Sequence, residues 1–189
     1  EHFKKLFYIE PKAVAYDLHP DYLSTQYALS ITDIPRVGVQ HHHAHIVGGM
    51  AENGMEGDVI GVALDGTGFG VDGTIWGGEF IKANLRDFDR FAHLKNVPMP
   101  GGSMAIKEPW RMAMVYLSEA FGDEAHDLKI DLVRRVDFQN WNILKRMIEK
   151  KINTPWTSSM GRLFDAISSL LSVRDEVHYE GQAAIELEM

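Results

Sequence analysis

The sequence predicts an α/β fold whose second half is mostly helical. Three observations carry that expectation. Apolar segments up to residue 85 follow the order β-α-β-α-β-β. A Pro- and Gly-rich stretch, VPMPGGSMAIKEPW at 97–110, then interrupts the pattern. Beyond it, apolar residues recur at helical spacing.

The elements follow in order. AVAYD at 13–17 reads as a short buried strand. PDYLSTQYALSI at 20–31 reads as a helix with Pro20 in its first turn, where a missing N–H costs nothing. RVGVQ at 36–40 is a second strand that runs straight into HHHAH at 41–45. A helix is expected from His41 to Asn53, with Ile46, Val47, Met50 and Ala51 on one side and Asn53-Gly54 as its stop. DVIGVALDG at 58–66 is a strongly apolar strand, and Asp72-Gly73 signals a hairpin after it.

Past the boundary, Pro109 opens a helix with Trp110, Ala113, Met114, Leu117 and Phe121 on its apolar face and Gly122 beyond its end. Phe138, Trp141, Leu144 and Ile148 form a second stripe. Leu163, Phe164, Ile167, Leu170 and Leu171 form a third, on a helix capped by Ser158 or Ser159. Core packing is the expected role of all three stripes. The chain therefore divides into an α/β part, 1–96, and a mostly helical part of the same module, 97–189.

Composition narrows the function. A net charge of −8 argues against a nonspecific nucleic-acid binder, which needs a basic face. No apolar run reaches the roughly 18 residues of a membrane span, so no membrane partner is expected. The start, EHFKKLFYIE, lacks the apolar core of a signal peptide, and a cytoplasmic address is expected. It also lacks an initiator Met, so the chain is expected to be a piece of something longer. With 0 Cys, any metal must be held by oxygen and nitrogen donors, and no thiol nucleophile is present.

The candidate chemistry starts with the histidines. His41 and His45 are four apart, which on a helix puts both on one face, at the edge where open α/β sheets bind ligands. Asp65, an odd end to an apolar strand, is the candidate third ligand. Two imidazoles and a carboxylate suit Fe(II), Mn or Zn. A solvated, His-rich helix start accounts for the spacing equally well. The glycines of DGTGFGVDG at 65–73 leave backbone N–H groups for phosphate oxygens, or simply form a β-turn. Glu180-Gly181 precedes a helix-like run whose N-terminus suits a hydroxyl or phosphate.

Six runs in one order carry a resemblance: DLHPDYLST at 17–25, VQHHHAH at 39–45, LDGTGFGVDGTIWGGEF at 64–80, KEPWRMA at 107–113, TSSMGRLFDA at 157–166 and YEGQAAIELE at 179–188. Together they resemble the C-terminal module of the HypF carbamoyltransferases of nickel–iron hydrogenase maturation. That module is similar to the tRNA threonylcarbamoyl transferases of the TsaD family and to O-carbamoyltransferases of antibiotic synthesis. The resemblance implies part of an RNase H-like lobe of the actin, sugar-kinase and Hsp70 superfamily, with both ends of the module outside this chain.

It also implies an activity. Carbamoyl-adenylate, made from carbamoyl phosphate and ATP in a separate module, would donate its carbamoyl group to the C-terminal Cys thiolate of HypE. Dehydration there would yield the source of the cyanide ligands on the hydrogenase iron. By the same resemblance His41, His45 and Asp65 are ligands of a divalent metal, Fe or Zn, with a further ligand beyond Met189. Gly66, Thr67 and Gly68 match a phosphate loop, Asp165 a nucleotide-contacting Asp, and Gly181 a nucleoside-contacting Gly. His42 and His43 are left as supporting residues. Lys107 and Arg111 lie in a family motif without an assigned role, and Ser103 stands where an Asp is common. An ATPase or kinase of the same superfamily, or a fragment that only docks partners, are the alternative readings.

Overall fold

A computed structural model describes residues 2–189. A short helix, α1 (His2–Phe7), is followed by β1 (Val14–Asp17), α2 (Leu23–Ser30), β2 (Arg36–Val39) and α3 (His41–Glu52). β1 and β2 pair in parallel, with Asp17 opposite Val39. Parallel strands need a crossover, and α2 provides it. α2 starts later than Pro20. The side chains of Asp17 and His19 accept from the N–H groups of His19 (2.7 Å) and Asp21 (3.2 Å), which holds the preceding segment as a turn. α3 begins where the sequence indicates: Gln40 caps it by accepting from the His43 N–H at 2.9 Å. It ends at Asn53, and Gly54 takes a positive φ of 61°.

The second sheet is mixed. β3 (Val59–Phe69) and β4 (Ile75–Ala83) form an antiparallel hairpin, and β5 (Phe88–His93), which the sequence reading missed, adds to β4. β6 (Val97–Pro98) pairs with β7 (Trp156–Thr157), and β7 runs parallel to β4. The helical part thus contributes two short strands to the sheet of the α/β part. α3 lies on one face of β3. A Cβ on Gly61 would sit 2.4 Å from the Ile46 side chain, so Gly61 lets the helix approach closely. The opposite face of β3 leaves Ile60, Val62 and Leu64 exposed.

The expected glycine-rich loop at 65–68 is not a loop. These residues lie inside β3, in a bulge. Between the pairs Leu64–Gly78 and Gly68–Trp76, Asp65, Gly66 and Thr67 stand against the single residue Gly77. A Cβ on Gly77 would lie 2.4 Å from the Asp65 carbonyl oxygen, so the bulge folds over a position that only glycine fills. The hairpin turn itself comes later, at Asp72-Gly73, where Gly73 has φ +77°.

The helical part comprises α4 (Ser103–Lys107), α5 (Pro109–Phe121), a 3-10 helix (Gly122–Asp127), α6 (Asp131–Arg135), α7 (Phe138–Glu149), α8 (Met160–Leu170) and α9 (Gln182–Glu188). Its core centres on α5, where Met112, Ala113, Met114, Val115 and Leu117 are all buried with Val97, Met99, Leu132, Leu144 and Ala166. α5 packs on α8, on the 3-10 helix and on β6, which buries it nearly all round. Phe121 and Phe138, expected in the core, are exposed at the ends of their stripes.

α8 departs most from expectation. Phe164 is 44% exposed and Ile167 and Leu171 also face outward, while Arg162, Asp165, Ser168 and Ser169 are buried. The contact with α5 and β3 is built from small residues and a polar network, which allows closer approach than the leucine and phenylalanine stripe would. Among the described residues no helix is long and apolar enough to cross a membrane.

Candidate metal centre

The site forms where the C-terminal end of β1, the N-terminus of α3 and the β3 bulge meet. His41 and His45 lie one helical turn apart with their Nε2 atoms 3.2 Å from each other. The bulge turns the Asp65 carboxylate toward them: Oδ2 is 3.1 Å from His41 Nε2 and 3.8 Å from His45 Nε2. His41, His45 and Asp65 are thus brought together, each offering one ligand atom within 4.8 Å of the others. His41 and Asp65 are half-buried and His45 is exposed, which leaves one side open.

The donor set fits a divalent cation. Asp65 Oδ2 and His42 Nε2 are buried and neither has a hydrogen-bond partner, though they face each other at 3.8 Å. Buried polar atoms are ordinarily paired, and an orphaned carboxylate oxygen among imidazole nitrogens matches a two-histidine, one-carboxylate site.

The other two histidines support this arrangement. His42 is 0% exposed. Burial lowers its pKa to about 4, against the opposing pull of Asp65 and Glu79, so the ring is neutral at pH 7. It packs near Trp76, with ring centroids 5.9 Å apart, and its Nδ1 lies 3.3 Å from Gln40 Nε2. His43 is buried too; its Nε2 lies 2.8 Å from the Asn84 carbonyl oxygen and its ring is 5.1 Å from Phe88.

The bulge residues have distinct settings. A Cβ on Gly68 would lie 2.3 Å from His42 Cε1 and 3.0 Å from His41 Cδ2, so Gly68 makes room for both imidazoles. The Gly66 N–H donates to Asp65 Oδ1 at 2.6 Å and therefore already has an acceptor. The Gly66 carbonyl accepts from Ser159 Oγ at 2.8 Å and from Arg162 Nη1 at 3.5 Å. Arg162 Nε in turn donates to Asp165 Oδ2 at 2.6 Å, so Asp165 is linked to the bulge through a buried ion pair. Burial raises the Asp165 carboxyl above its ordinary value, and the Arg162 charge and hydrogen bond work against that rise. Thr67 completes the bulge between Gly66 and Gly68.

Gly181 takes a left-handed conformation, φ +77°, and opens α9. The neighbouring Glu180 belongs to the same electrostatic environment as the histidine end. The Tyr22 hydroxyl is pushed up by burial first, and then by the charges of Asp17, Asp65 and Glu180. Arg111 donates to Glu108 and stacks over Trp110 at 5.1 Å, while the Lys107 carbonyl accepts from the Val177 N–H at 2.8 Å.

Behind the bulge lies a buried polar network that sequence reasoning missed. Glu79 is 0% exposed. Its carboxylate accepts from the N–H groups of Gly77 (2.9 Å) and Gly78 (3.0 Å), from Ser158 Oγ (2.5 Å) and from Arg90 Nε (2.5 Å). Burial alone would raise this carboxyl, but the four donors outweigh it and hold the group below its ordinary value. Arg90 also reaches Asp72 at 3.1 Å and lies over the Trp76 ring at 4.0 Å. Asp17 was missed as well: its Oδ2 lies 2.6 Å from His41 Nδ1. Like Asp65 it is a carboxylate that follows an apolar run in the sequence, and that pattern was the available signal; in the structure Asp17 ends β1, whereas Asp65 lies within β3.

An α/β module in which two histidines and a carboxylate converge is a candidate metal-site scaffold, and comparison with known proteins specifies the family. A family model described as "Carbamoyltransferase, Kae1-like Domain, second subdomain" matches residues 61–189, and one described as "HypF Kae1-like domain" matches residues 1–52. The chain belongs to the HypF carbamoyltransferase family. It is 45% identical over 202 residues to carbamoyltransferase HypF of Synechocystis, covering 99% of this chain and 26% of that protein. It is 43% identical over 190 residues to carbamoyltransferase HypF2 of Cupriavidus necator, covering 99% of this chain and 23% of that protein. A crystal structure of full-length HypF in the phosphate- and nucleotide-bound form superposes with a TM-score of 0.91 at 48% identity, covering 98% of this chain and 29% of that one. The chain thus spans about a quarter of the length of the relatives it matches.

Proposed function

We propose that this chain is the part of a HypF-type carbamoyltransferase in which the carbamoyl group leaves carbamoyl-adenylate for the C-terminal Cys thiolate of HypE. Carbamoyl-adenylate would be made from carbamoyl phosphate and ATP by modules outside this chain. The fold would be part of an RNase H-like lobe of the actin, sugar-kinase and Hsp70 superfamily, with residues 1–96 and 97–189 as its α/β and helical parts. The convergence of His41, His45 and Asp65, in a chain of this family, is the observation that carries the reading.

His41, His45 and Asp65 would hold a divalent metal, Fe or Zn. Such an ion supplies Lewis acidity toward a phosphate or carbamoyl oxygen. The exposed side of His45 leaves the centre open to substrate. Buried His42 and Trp76 close its inner side against water. Gly66–Gly68, Asp165 and Gly181 would contact the adenylate. In the reaction the thiolate sulfur bonds to the carbamoyl carbon, the bond from that carbon to the phosphate oxygen breaks, and AMP departs with the electron pair. Since the nucleophile belongs to the partner, the absence of Cys here (0 residues) is consistent with this chemistry.

The test is the double substitution His41→Ala with His45→Ala in the full-length enzyme. Carbamoylation of HypE should cease while carbamoyl-adenylate formation continues. Undiminished transfer would remove the metal centre from the mechanism.

A further inference from the structure

The run DLHPDYLST at 17–25 has no role in the chemistry described so far, yet it is bound tightly to the histidine cluster. Asp17 ends β1, and the parallel register places it opposite Val39, beside the start of α3. Both carboxylate oxygens are engaged: Oδ1 accepts from the His19 N–H at 2.7 Å and Oδ2 lies 2.6 Å from His41 Nδ1. Buried Thr25 donates its hydroxyl to the Asp17 carbonyl at 2.7 Å, which fixes the strand end.

A carboxylate only accepts, so the short contact calls for a proton on His41 Nδ1. The lone pair then resides on Nε2, which faces His45 Nε2 at 3.2 Å and Asp65 Oδ2 at 3.1 Å. Asp65 Oδ2 has no hydrogen-bond partner of its own, so it stands beside that lone pair as a second free donor atom. We propose that Asp17 is a positioning residue that fixes the tautomer and ring orientation of His41, so that Nε2 is presented as a ligand. This rests on the reading of His41, His45 and Asp65 as a metal centre. A carboxylate behind a ligating imidazole raises its basicity and holds its orientation, and losing such a partner costs about 10–100-fold in metal affinity. Two further residues of the run, His19 and Thr25, hold Asp17.

The test compares wild type with Asp17→Ala, each 15N-labelled at histidine. Long-range 15N–1H spectra of the metal-free chain report the His41 tautomer, and Zn2+ alone is titrated into the full-length enzyme to measure affinity, with His41→Ala/His45→Ala as the blank for uptake at other sites. Wild type should show His41 protonated on Nδ1. Asp17→Ala should shift that ring toward the Nε2–H form and weaken Zn2+ binding about 10–100-fold, with an unchanged circular dichroism spectrum. If the alanine variant does not fold, Asp17→Asn is measured the same way, since it keeps an acceptor for the His19 N–H. A folded variant with unaltered tautomer or unaltered affinity overturns the proposal. Full-length wild type that takes up no more Zn2+ than its His41→Ala/His45→Ala variant overturns the metal reading instead, and the tautomer spectra keep the two failures apart.

Discussion

Arg90 donates to Glu79 at 2.5 Å, joining β5 to a carboxylate on β4 that is 0% exposed. The pair sits directly behind the bulge that carries Asp65. Removing one partner of such a pair leaves the other charge uncompensated, which typically costs about 3–5 kcal/mol. Glu79→Gln should lower stability in chemical denaturation by less than that, because Asp72 still faces Arg90 at 3.1 Å.

The same carboxylate has a pH signature. Its folded-state value lies below the ordinary 4.5, because four hydrogen-bond donors outweigh burial. A depressed carboxyl contributes stability that is fully present above the unfolded value and is lost as pH falls through the folded one. The gap in thermal midpoint between wild type and Glu79→Gln should thus be constant at neutral pH and narrow below pH 4.5. A gap that persists unchanged into acid would show that Glu79 does not act through its charge.

Gly68 and Gly66 are separated by one residue and should behave oppositely. A Cβ on Gly68 would enter the space of His42 Cε1, at 2.3 Å, whereas one on Gly66 would meet nothing within 4 Å. Gly68→Ala should displace the imidazoles and weaken Zn2+ binding by about tenfold or more. Gly66→Ala should leave Zn2+ binding within about twofold of wild type, well inside what a lost supporting contact costs. Equal effects of the two would remove imidazole crowding as the reason for Gly68.

Asp65→Asn keeps the shape of the side chain and removes its charge. If Asp65 is a ligand, Zn2+ affinity should fall by more than about 100-fold, beyond what loss of a supporting partner does. A calorimetric titration decides this, and a smaller loss would demote Asp65 to a supporting role.

α8 offers a test of packing. Ala166 is 0% exposed and Phe164 is 44% exposed. Phe164→Ser should cost less than the core substitution Ala166→Leu, because nearly half of the residue already faces solvent. Ala166→Leu should cost about 1–3 kcal/mol through overpacking against α5. The reverse order in denaturant midpoints would mean that α8 packs through its phenylalanine face.

Several features of this protein were readable one residue after another. The strand before the histidines, the helix from His41 to the Asn53-Gly54 stop, and the capping of α8 by Ser159 all depend on neighbours a few positions away. The spacing of His41 and His45 is of the same kind, because helix geometry alone puts them on one face. Asp65 was visible as a charge closing an apolar run, although β3 continues past it to Phe69. Such signals survive in sequence because covalent geometry fixes the periodicity of helix and strand.

What the tertiary structure decided involves partners far apart in the chain. Asp17 meets His41 only through the β1–β2 register. The glycines at 66 and 68 resemble a turn, and only pairing with Gly77 makes them a bulge. Glu79 resembles an ordinary strand residue until Arg90 and Ser158 surround it. The Phe164 and Ile167 stripe looks like core, but α5 and β3 make their close contacts with the small and polar face of α8 instead. Local pattern determines which elements form and which face is apolar. Which faces meet, and which polar atoms are left without a partner, is decided only when distant elements compete for the same buried space.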